Sequence, residues 1–489
     1  MVITAISRIS GCRWGQGSRR RVGRHRTQRT RRHGVPLGNR PLHRARQSRT
    51  TLRLLGTPCV TGAPRTALSR AARRANRAPM ISVGEALQTI LDATPVLGDE
   101  RVLLGEACGR VATEDVTSNR AVPAADNSAM DGFAVRSDDV AHASARLRII
   151  GSAPAGSLLA GPVEAGTAAK IFTGSVIPDG ADTVVRVEDT ESADGFVTVT
   201  VAVKHGANVR PRGEDIMPGA TVLAAGTMVG PADVGVLASV GRSTVAVRRR
   251  PRVTIVSTGA ELVEIDQTPG PAQVVNSNAW VLAAAVAQAG AIPVVLPIAR
   301  DRFEDIRARV EEAATADVVL STGGVSVGEF DFVRDALDAV GVERRFWKVA
   351  QKPGKPLTFG TLGRRLFFGL PGNPVSALVC FAVYVRPALR KLAGHAAIHH
   401  PVIDARLAAR VRKATNLTEF VRVHLVRADG GWTATPFAAQ GSGVLSSLTA
   451  GAGLLVGPAA ATELDAGGVY PVIVLDGTSF DVANPAFSS

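Results

Sequence analysis

The stretch LSTGGVSVGEFDF, residues 320–332, sets three hydroxyls, paired glycines and two carboxylates directly behind an apolar run. Residues 316–320 (ADVVL) read as a short strand, and FVRDAL at 332–337 resumes with helical spacing, so the stretch is a strand-to-helix crossing. In open α/β sheets the crevice beyond the carboxyl ends of the strands is the usual ligand site, and a glycine-rich loop lets backbone N–H groups approach an anion. Gly323 and Gly324 suit that role. The plainer reading is a glycine turn capped by Ser321 or Thr322. Glu329 and Asp331 favour the functional reading only where other anion- or metal-binding groups converge on them.

Working outward, the alternation continues on both sides. RVTIVSTGAEL (252–262) is a strand and glycine turn, NAWVLAAAVAQAG (278–290) a helix, and AIPVVLPIARD a strand ending at Asp301. FEDIRARVEEAA is an amphipathic helix, and VSALVCFAVYVRPALRKLAG the closing one. This order predicts a doubly wound α/β domain with a parallel sheet over residues 251–397. Residues 280–299 carry no charge and are long enough to span a bilayer. Gln288, Gly290 and Pro293 interrupt them, so they are read as a helix (279–288) and a buried strand (292–297).

Upstream, Ser82 with Glu85 three residues later forms a capping box before a helical pattern. Short valine-rich runs broken by Gly and Pro give a β-rich domain at 123–215. Residues 80–122 with 216–250 form a linker domain around the helix of VGPADVGVLASVG. Beyond 397, FVRVHLVRADGGWTATPF carries a hairpin signal at Asp429-Gly430-Gly431, and a small C-terminal β-barrel is expected over 398–489.

The net charge of +15 would suggest nucleic acid, but its distribution removes the inference. Residues 1–79 hold 20 Arg and no Lys, Asp or Glu, leaving 37 basic against 42 acidic residues after Pro79. The favoured reading of this extension is a GC-rich upstream stretch with translation starting at Met80; a disordered nucleic-acid-binding tail or a transit peptide are the alternatives. Cys108 and Cys380 are the two cysteines after it, with no metal-ligand spacing, which fits a reducing cytosol. Neither nucleic acid nor membrane is expected as a partner.

Strand ends on one edge of a parallel sheet lie near one another. Glu261, Asp301 and Asp331 are therefore expected to converge on a hard cation such as Mg2+, the alternative for each being a helix N-cap. KPGKP holds Lys352 and Lys355 on a segment stiffened by prolines, suited to a multiply charged oxyanion. In LPGNPVSAL, Pro371, Gly372 and Asn373 precede a helix whose start offers N–H groups to an anion, with Asn373 otherwise a cap. DNSAMDGFAV, FTGSVIPDGADTVV and RPRGEDI are polar loops beside apolar strands.

Together DNSAMDG, TGSVIPDGAD, RPRGEDI, STGAEL, SNAWVL, STGGVSVGEFD, KPGKP, LPGNPVSA and QGSGVLSS resemble the MoeA family. These are the molybdenum-insertion enzymes of molybdenum cofactor biosynthesis, related to the E domains of gephyrin and of plant Cnx. The motifs run in the family's order over about 410 residues. The resemblance implies a molybdopterin-binding, MogA-like α/β domain, a β-rich middle domain and a C-terminal β-barrel in a cytoplasmic homodimer. It implies Mg2+-assisted insertion of molybdenum from molybdate into adenylylated molybdopterin with release of AMP, and contact with the adenylylating enzyme. By the same resemblance Glu261, Asp301 and Asp331 are acidic pocket and metal positions, while Asp131, Thr173 and Asp215 approach from the partner chain. Lys352, Lys355, Arg422 and Ser442 match molybdate positions. Ser321, Thr322, Gly323, Gly324 and Ser326 would cradle phosphate or pterin. Charge fits this division, since molybdate is a dianion and its metal ends on soft dithiolene sulfurs, needing no cysteine from the protein. The sequence departs from the family at Ala260, often acidic or amide there, and at Phe332, commonly tyrosine. Molybdopterin adenylylation and a non-catalytic gephyrin-type scaffold are the alternative functions.

Overall fold

Burial alternates along the strand that precedes the quoted stretch, and that alternation organises the domain built around it. In the computed structural model, which describes residues 80–323, 332–428, 431–449 and 452–475, Val318 and Leu320 face one core while Val319 faces another. The chain divides into two units, Met1–Arg70 and Ala71–Ser489, and every described residue falls in the second. The expectations for residues 1–79 and for Gly324, Ser326, Glu329 and Asp331 lie outside the described residues.

Helix α1 (Val83–Ala93) begins with the capping box read from the sequence: Glu85 N–H donates to Ser82 Oγ at 3.2 Å, and Ser82 N–H to Glu85 Oε2 at 2.8 Å. Asp99–Leu103 pairs antiparallel with Thr244–Arg248, and helix α2 (Pro231–Ser239) packs Leu237 into the core of that layer. Between these two strands in sequence lies a six-stranded, largely antiparallel sheet that includes the paired strands Gly132–Val135 and Thr167–Ile171. Alternate residues of the first, Phe133 and Val135 against Ala134, serve opposite faces, as a period of two requires.

The α/β sheet runs β2 (Ile292–Val295), β1 (Arg252–Ser257), β3 (Val318–Thr322), β7 (Arg365–Leu370), β6 (Thr358–Leu362), β4 (Glu343–Trp347). The first four strands are parallel, as expected, but β6 and β4 each pair antiparallel, so the sheet is mixed. Helices α3 (Ser277–Gln288), α6 (Pro374–Cys380) and α7 (Arg386–Leu392) cover one face, joined by Ala86 and Ile90 of α1; α4 (Phe303–Ala313) and α5 (Phe332–Val340) cover the other. A π-helical turn, Phe381–Val385, links α6 to α7 within the expected closing helix. β2 is an edge strand with Ile292 43% exposed, not the buried strand expected, because a neighbour pairs with it on one side alone. Among the described residues no helix is long and apolar enough to cross a membrane.

The short strand β5 (Gln351–Lys352) leaves this sheet and pairs in parallel with β9 (Thr418–Ala428) of the C-terminal region. There β9, β10 (Gly431–Pro436), β8 (Val402–Leu407), β12 (Val469–Val474) and β11 (Ala452–Gly457) pair in turn, and β11 pairs back to β9. Five strands thus close a barrel, which leaves no edge within the ring.

Asp317 ties the linker layer to the start of β3. Arg249 reaches it with two nitrogens at 2.6 and 2.8 Å, and Arg252 N–H donates at 2.8 Å. Burial alone would raise the Asp317 carboxyl, but the hydrogen bonds from Arg249 and Arg252 outweigh it and hold the pKa below its ordinary value. A carboxylate depressed in the folded state stabilises the fold above its unfolded pKa and loses that contribution as pH falls through the folded one. Asp317→Asn is expected to lower stability at pH 7 by about 2 kcal/mol and to flatten the acid limb below pH ~4. Urea unfolding of both proteins at pH 3 to 7 checks this; parallel acid limbs would refute it.

Candidate functional site

The in-register ends of β1, β3 and β7, with Ser257 beside Thr322 and Thr322 beside Leu370, bring Thr258, Gly323 and Pro371 together. These three residues line a cavity of about 650 Å³ at the carboxyl edge of the parallel strands. Gly323 has φ +85°, and a Cβ there would lie 2.3 Å from the Thr258 carbonyl oxygen. Only glycine fits that approach. Thr322 Oγ1 donates to Ser257 Oγ (3.1 Å), which donates to Asn276 Oδ1 (3.2 Å), and Asn276 Oδ1 in turn caps α3 through Ala279 N–H (3.3 Å). Asn278 Nδ2 donates to Gly372 O at 2.7 Å, which holds the Pro-Gly-Asn-Pro turn against the start of α3. Thr258 Oγ1 and Asn278 Oδ1 are buried without hydrogen-bond partners among the described residues, a deficit that a polar ligand in the cavity can relieve.

Glu261, Thr322, Gly323, Pro371, Gly372 and Asn373 all line this cavity; Ser321 is buried inside β3 and lines neither this cavity nor the next. Asp301 lies two residues after Ala299, which bridges Thr258, so it sits beyond the same sheet edge but outside the cavity lining. Among the described residues no group of three or more His, Cys, Asp or Glu side chains is placed to hold a metal, and the third acid of the expected set, Asp331, is outside them. Asn373 stands at the N-cap of α6 without a side-chain cap bond to the described residues. Val375 N–H, expected to be free for an anion, donates to Ser442 O at 3.1 Å. The barrel loop therefore occupies that helix start.

A second cavity of about 420 Å³ lies between the KPGKP segment and the barrel, and Pro356 lines both cavities. Lys352, Lys355, Arg422 and Ser442, separated by up to 90 positions in sequence, all line it. Arg422 is fully buried; its Nη2 donates to Ala439 O (2.9 Å) and Gly441 O (3.1 Å), while its Nε has no partner among the described residues. Beneath the KPGKP turn, Tyr384 of the π-helical turn donates to Gln351 Oε1, and Gln351 Nε2 donates to Pro353 O at 3.0 Å. Sequence reasoning passes over Gln351, Asn276, Asn278 and Glu419. SNAWVL after a strand is the signal available for Asn278, and no local pattern marks the others.

The three polar loops of the middle sheet also meet. Thr173 donates to Asp131 Oδ1 through N (2.7 Å) and Oγ1 (2.8 Å), Ser128 N–H to Ser175 O, and Arg212 N–H to Asp126 Oδ1. The Thr173 amide first, then its hydroxyl, holds the Asp131 carboxyl below its ordinary pKa. Asp215, exposed, donates its N–H to Val122 O at the base of the same group. Asp131, Thr173 and Asp215 line neither cavity.

Three family models match the chain in succession: the MoeA N-terminal region (domains I and II) over 81–241, a probable molybdopterin binding domain over 254–391, and the MoeA C-terminal region (domain IV) over 404–475. The molybdopterin molybdenumtransferase of a Nostoc species is 40% identical over 336 residues, 66% of this chain and 77% of that one. The protein of the same name from Staphylococcus epidermidis is 32% identical over 406 residues, 82% of this chain and 97% of that one. The crystal structure of the molybdopterin biosynthesis MoeA protein from Pyrococcus horikoshii superposes with a TM-score of 0.70 at 30% identity, covering 82% of this chain and 100% of that one. On this agreement of sequence, domain order and architecture, the chain belongs to the MoeA family of molybdopterin molybdenumtransferases.

Proposed function

We infer that the chain inserts molybdenum from molybdate into adenylylated molybdopterin, with release of AMP, in molybdenum cofactor biosynthesis. The observation that carries this reading is the adjacency of the two cavities. One is bounded by the strand-end hydroxyls and glycines, the other by three cations, and they share the wall at Pro356. A dianionic oxyanion suits Lys352, Lys355 and Arg422, whose charge-assisted hydrogen bonds need no soft ligand from the protein. In the first cavity the Gly323 and Gly372 backbones admit close approach of phosphate or pterin, while Asn278 and Thr258 offer unsatisfied acceptors to the ligand's donors. The adenylylation alternative would have no use for the barrel, yet the barrel supplies Arg422 and Ser442.

We place Mg2+ with Glu261 and Asp301, hard oxygen donors beyond the bridged ends of adjacent strands, with Asp331 as the third ligand of the proposed set. When bound, the cation would polarise the phosphoanhydride. Glu261 would act on the substrate's phosphates through that cation, and Pro356 stands between the two cavities. We further propose a cytoplasmic homodimer in which Asp131, Thr173 and Asp215 approach the partner's first cavity, and contact with the adenylylating enzyme.

The full chain, incubated with adenylylated molybdopterin, Mg2+ and molybdate, is expected to release AMP in a molybdate-dependent manner and to activate a cofactor-free molybdoenzyme. Substrate binding with neither signal would favour the scaffold alternative.

A further inference from the structure

Among the described residues Glu419 is the one acid lining the oxyanion cavity, and it is only 7% exposed. The β5–β9 register places it directly beside Lys352, and its Oε1 lies 2.9 Å from Lys352 Nζ. Its other oxygen accepts from Ala414 N–H at 3.4 Å. Lys413, nearby, spends its ammonium on the carbonyls of Ala414 and Ala461, and Lys352 is the cation that pairs with Glu419 directly. The backbone pairing fixes the Glu419 Cα beside that of Lys352, and the ion pair with Lys352 and the Ala414 N–H hold the carboxylate at the cavity.

A buried carboxylate inside an anion site opposes the site's purpose unless it selects among anions. With Lys352, Lys355 and Arg422 against Glu419, the lining carries a formal charge of +2, which matches a tetrahedral dianion. The neighbouring cavity, across Pro356, is the one read as holding the substrate's phosphates, and among free anions those more highly charged than molybdate, inorganic pyrophosphate for one, are what three cations alone would draw most strongly. Resting on that reading of the two cavities, we propose that Glu419 is a specificity-determining residue. It neutralises Lys352 and sets the oxyanion cavity to accept a dianion and to reject more highly charged anions such as pyrophosphate.

Calorimetric titration of the full chain with sodium molybdate and, separately, inorganic pyrophosphate tests this, comparing wild type with Glu419→Gln. Removing the carboxylate is expected to tighten molybdate binding several-fold and pyrophosphate binding by a larger factor, at most the square of it, since the repulsion it exerts scales with ligand charge. A purely structural role for Glu419 would weaken both. Unchanged or weaker binding of both anions by a folded Glu419→Gln protein, judged by circular dichroism, would overturn the proposal. If Glu419→Gln alone does not fold, the double variant Glu419→Gln/Lys352→Met decides, since it removes the pair together and keeps the lining at +2. It is predicted to lose less molybdate affinity than Lys355→Met, which lowers the lining to +1, and equal losses would overturn the proposal. Wild-type protein that binds no molybdate, or a Lys355→Met variant that binds it as well as wild type, would instead remove the cavity assignment on which the proposal stands.

Discussion

Replacing Arg422 by methionine is expected to raise the molybdate requirement of the insertion reaction by about 10- to 100-fold, equivalent to about 1.4–2.8 kcal/mol of charge-assisted hydrogen bonding in a desolvated site. The reasoning begins with burial. Arg422 is fully enclosed, two of its contacts go to the carbonyls of Ala439 and Gly441, and its Nε is left without a partner among the described residues, in a side chain that lines the oxyanion cavity. A buried guanidinium held by neutral carbonyls still lacks a counter-charge, and a bound oxyanion would supply it. Methionine keeps much of the volume while removing the charge. It also orphans two carbonyl groups, so some stability is lost as well, and Arg422→Lys separates the two effects. Lysine restores the charge but not the planar fork, and is expected to recover part of the molybdate affinity. Steady-state AMP release across a molybdate series reads the result: a molybdate KM within a factor of two of wild type for Arg422→Met would refute the role given to this residue.

The features legible in the sequence are those whose physics is local or periodic. The Ser82–Glu85 capping box needs only residues three apart, and it forms as read. The alternation of strand and helix from Arg252 onward shows because a strand buried on both faces carries consecutive apolar residues, as Val318, Val319 and Leu320 do in β3. The antiparallel addition of β6 and β4 is not legible. Direction along a sheet edge is set by the tight Leu362–Arg365 hairpin and by tertiary packing, and the strands themselves carry no mark of direction. The edge position of β2 escapes for the same reason: IPVV looks equally apolar whether one side of it is paired or both.

The candidate site divides along the same line. Lys352 and Lys355 stand out because prolines flank them, whereas Arg422 and Ser442 are identified as oxyanion residues through family resemblance alone. The contact that unites these four is created when β5 pairs with β9, a ladder of two residue pairs. Glu419 escapes notice because it opens a run of five successive buried residues in β9, from Glu419 to Val423. With both faces covered, period-two alternation no longer tells an inward carboxylate from an outward one.

The largest loss of function from the smallest change is expected at Gly323. Alanine there would have to adopt φ +85°, at a cost of about 1–3 kcal/mol for the backbone conformation alone. Its Cβ would also stand 2.3 Å from the carbonyl oxygen of Thr258. That obstacle is backbone, so no side-chain rotation relieves it. The ends of β1 and β3 must move apart, breaking the Thr258 N–H to Thr322 O bond of 3.0 Å and shifting the hydroxyl chain from Thr322 through Ser257 to Asn276. A displacement of about 1 Å in a positioning loop can cost on the order of 100-fold in rate, and AMP release by Gly323→Ala is expected to fall by at least that much. Gly363 provides the control. It too has positive φ (+58°) and lies in the same sheet's hairpin between β6 and β7, but a Cβ added there would meet no described atom within 4 Å. Gly363→Ala therefore carries the conformational cost without the collision, and should lower thermal stability while leaving AMP release near wild type. Equal activity losses in the two variants would show that strain alone, and not the approach of Gly323 to Thr258, governs the site.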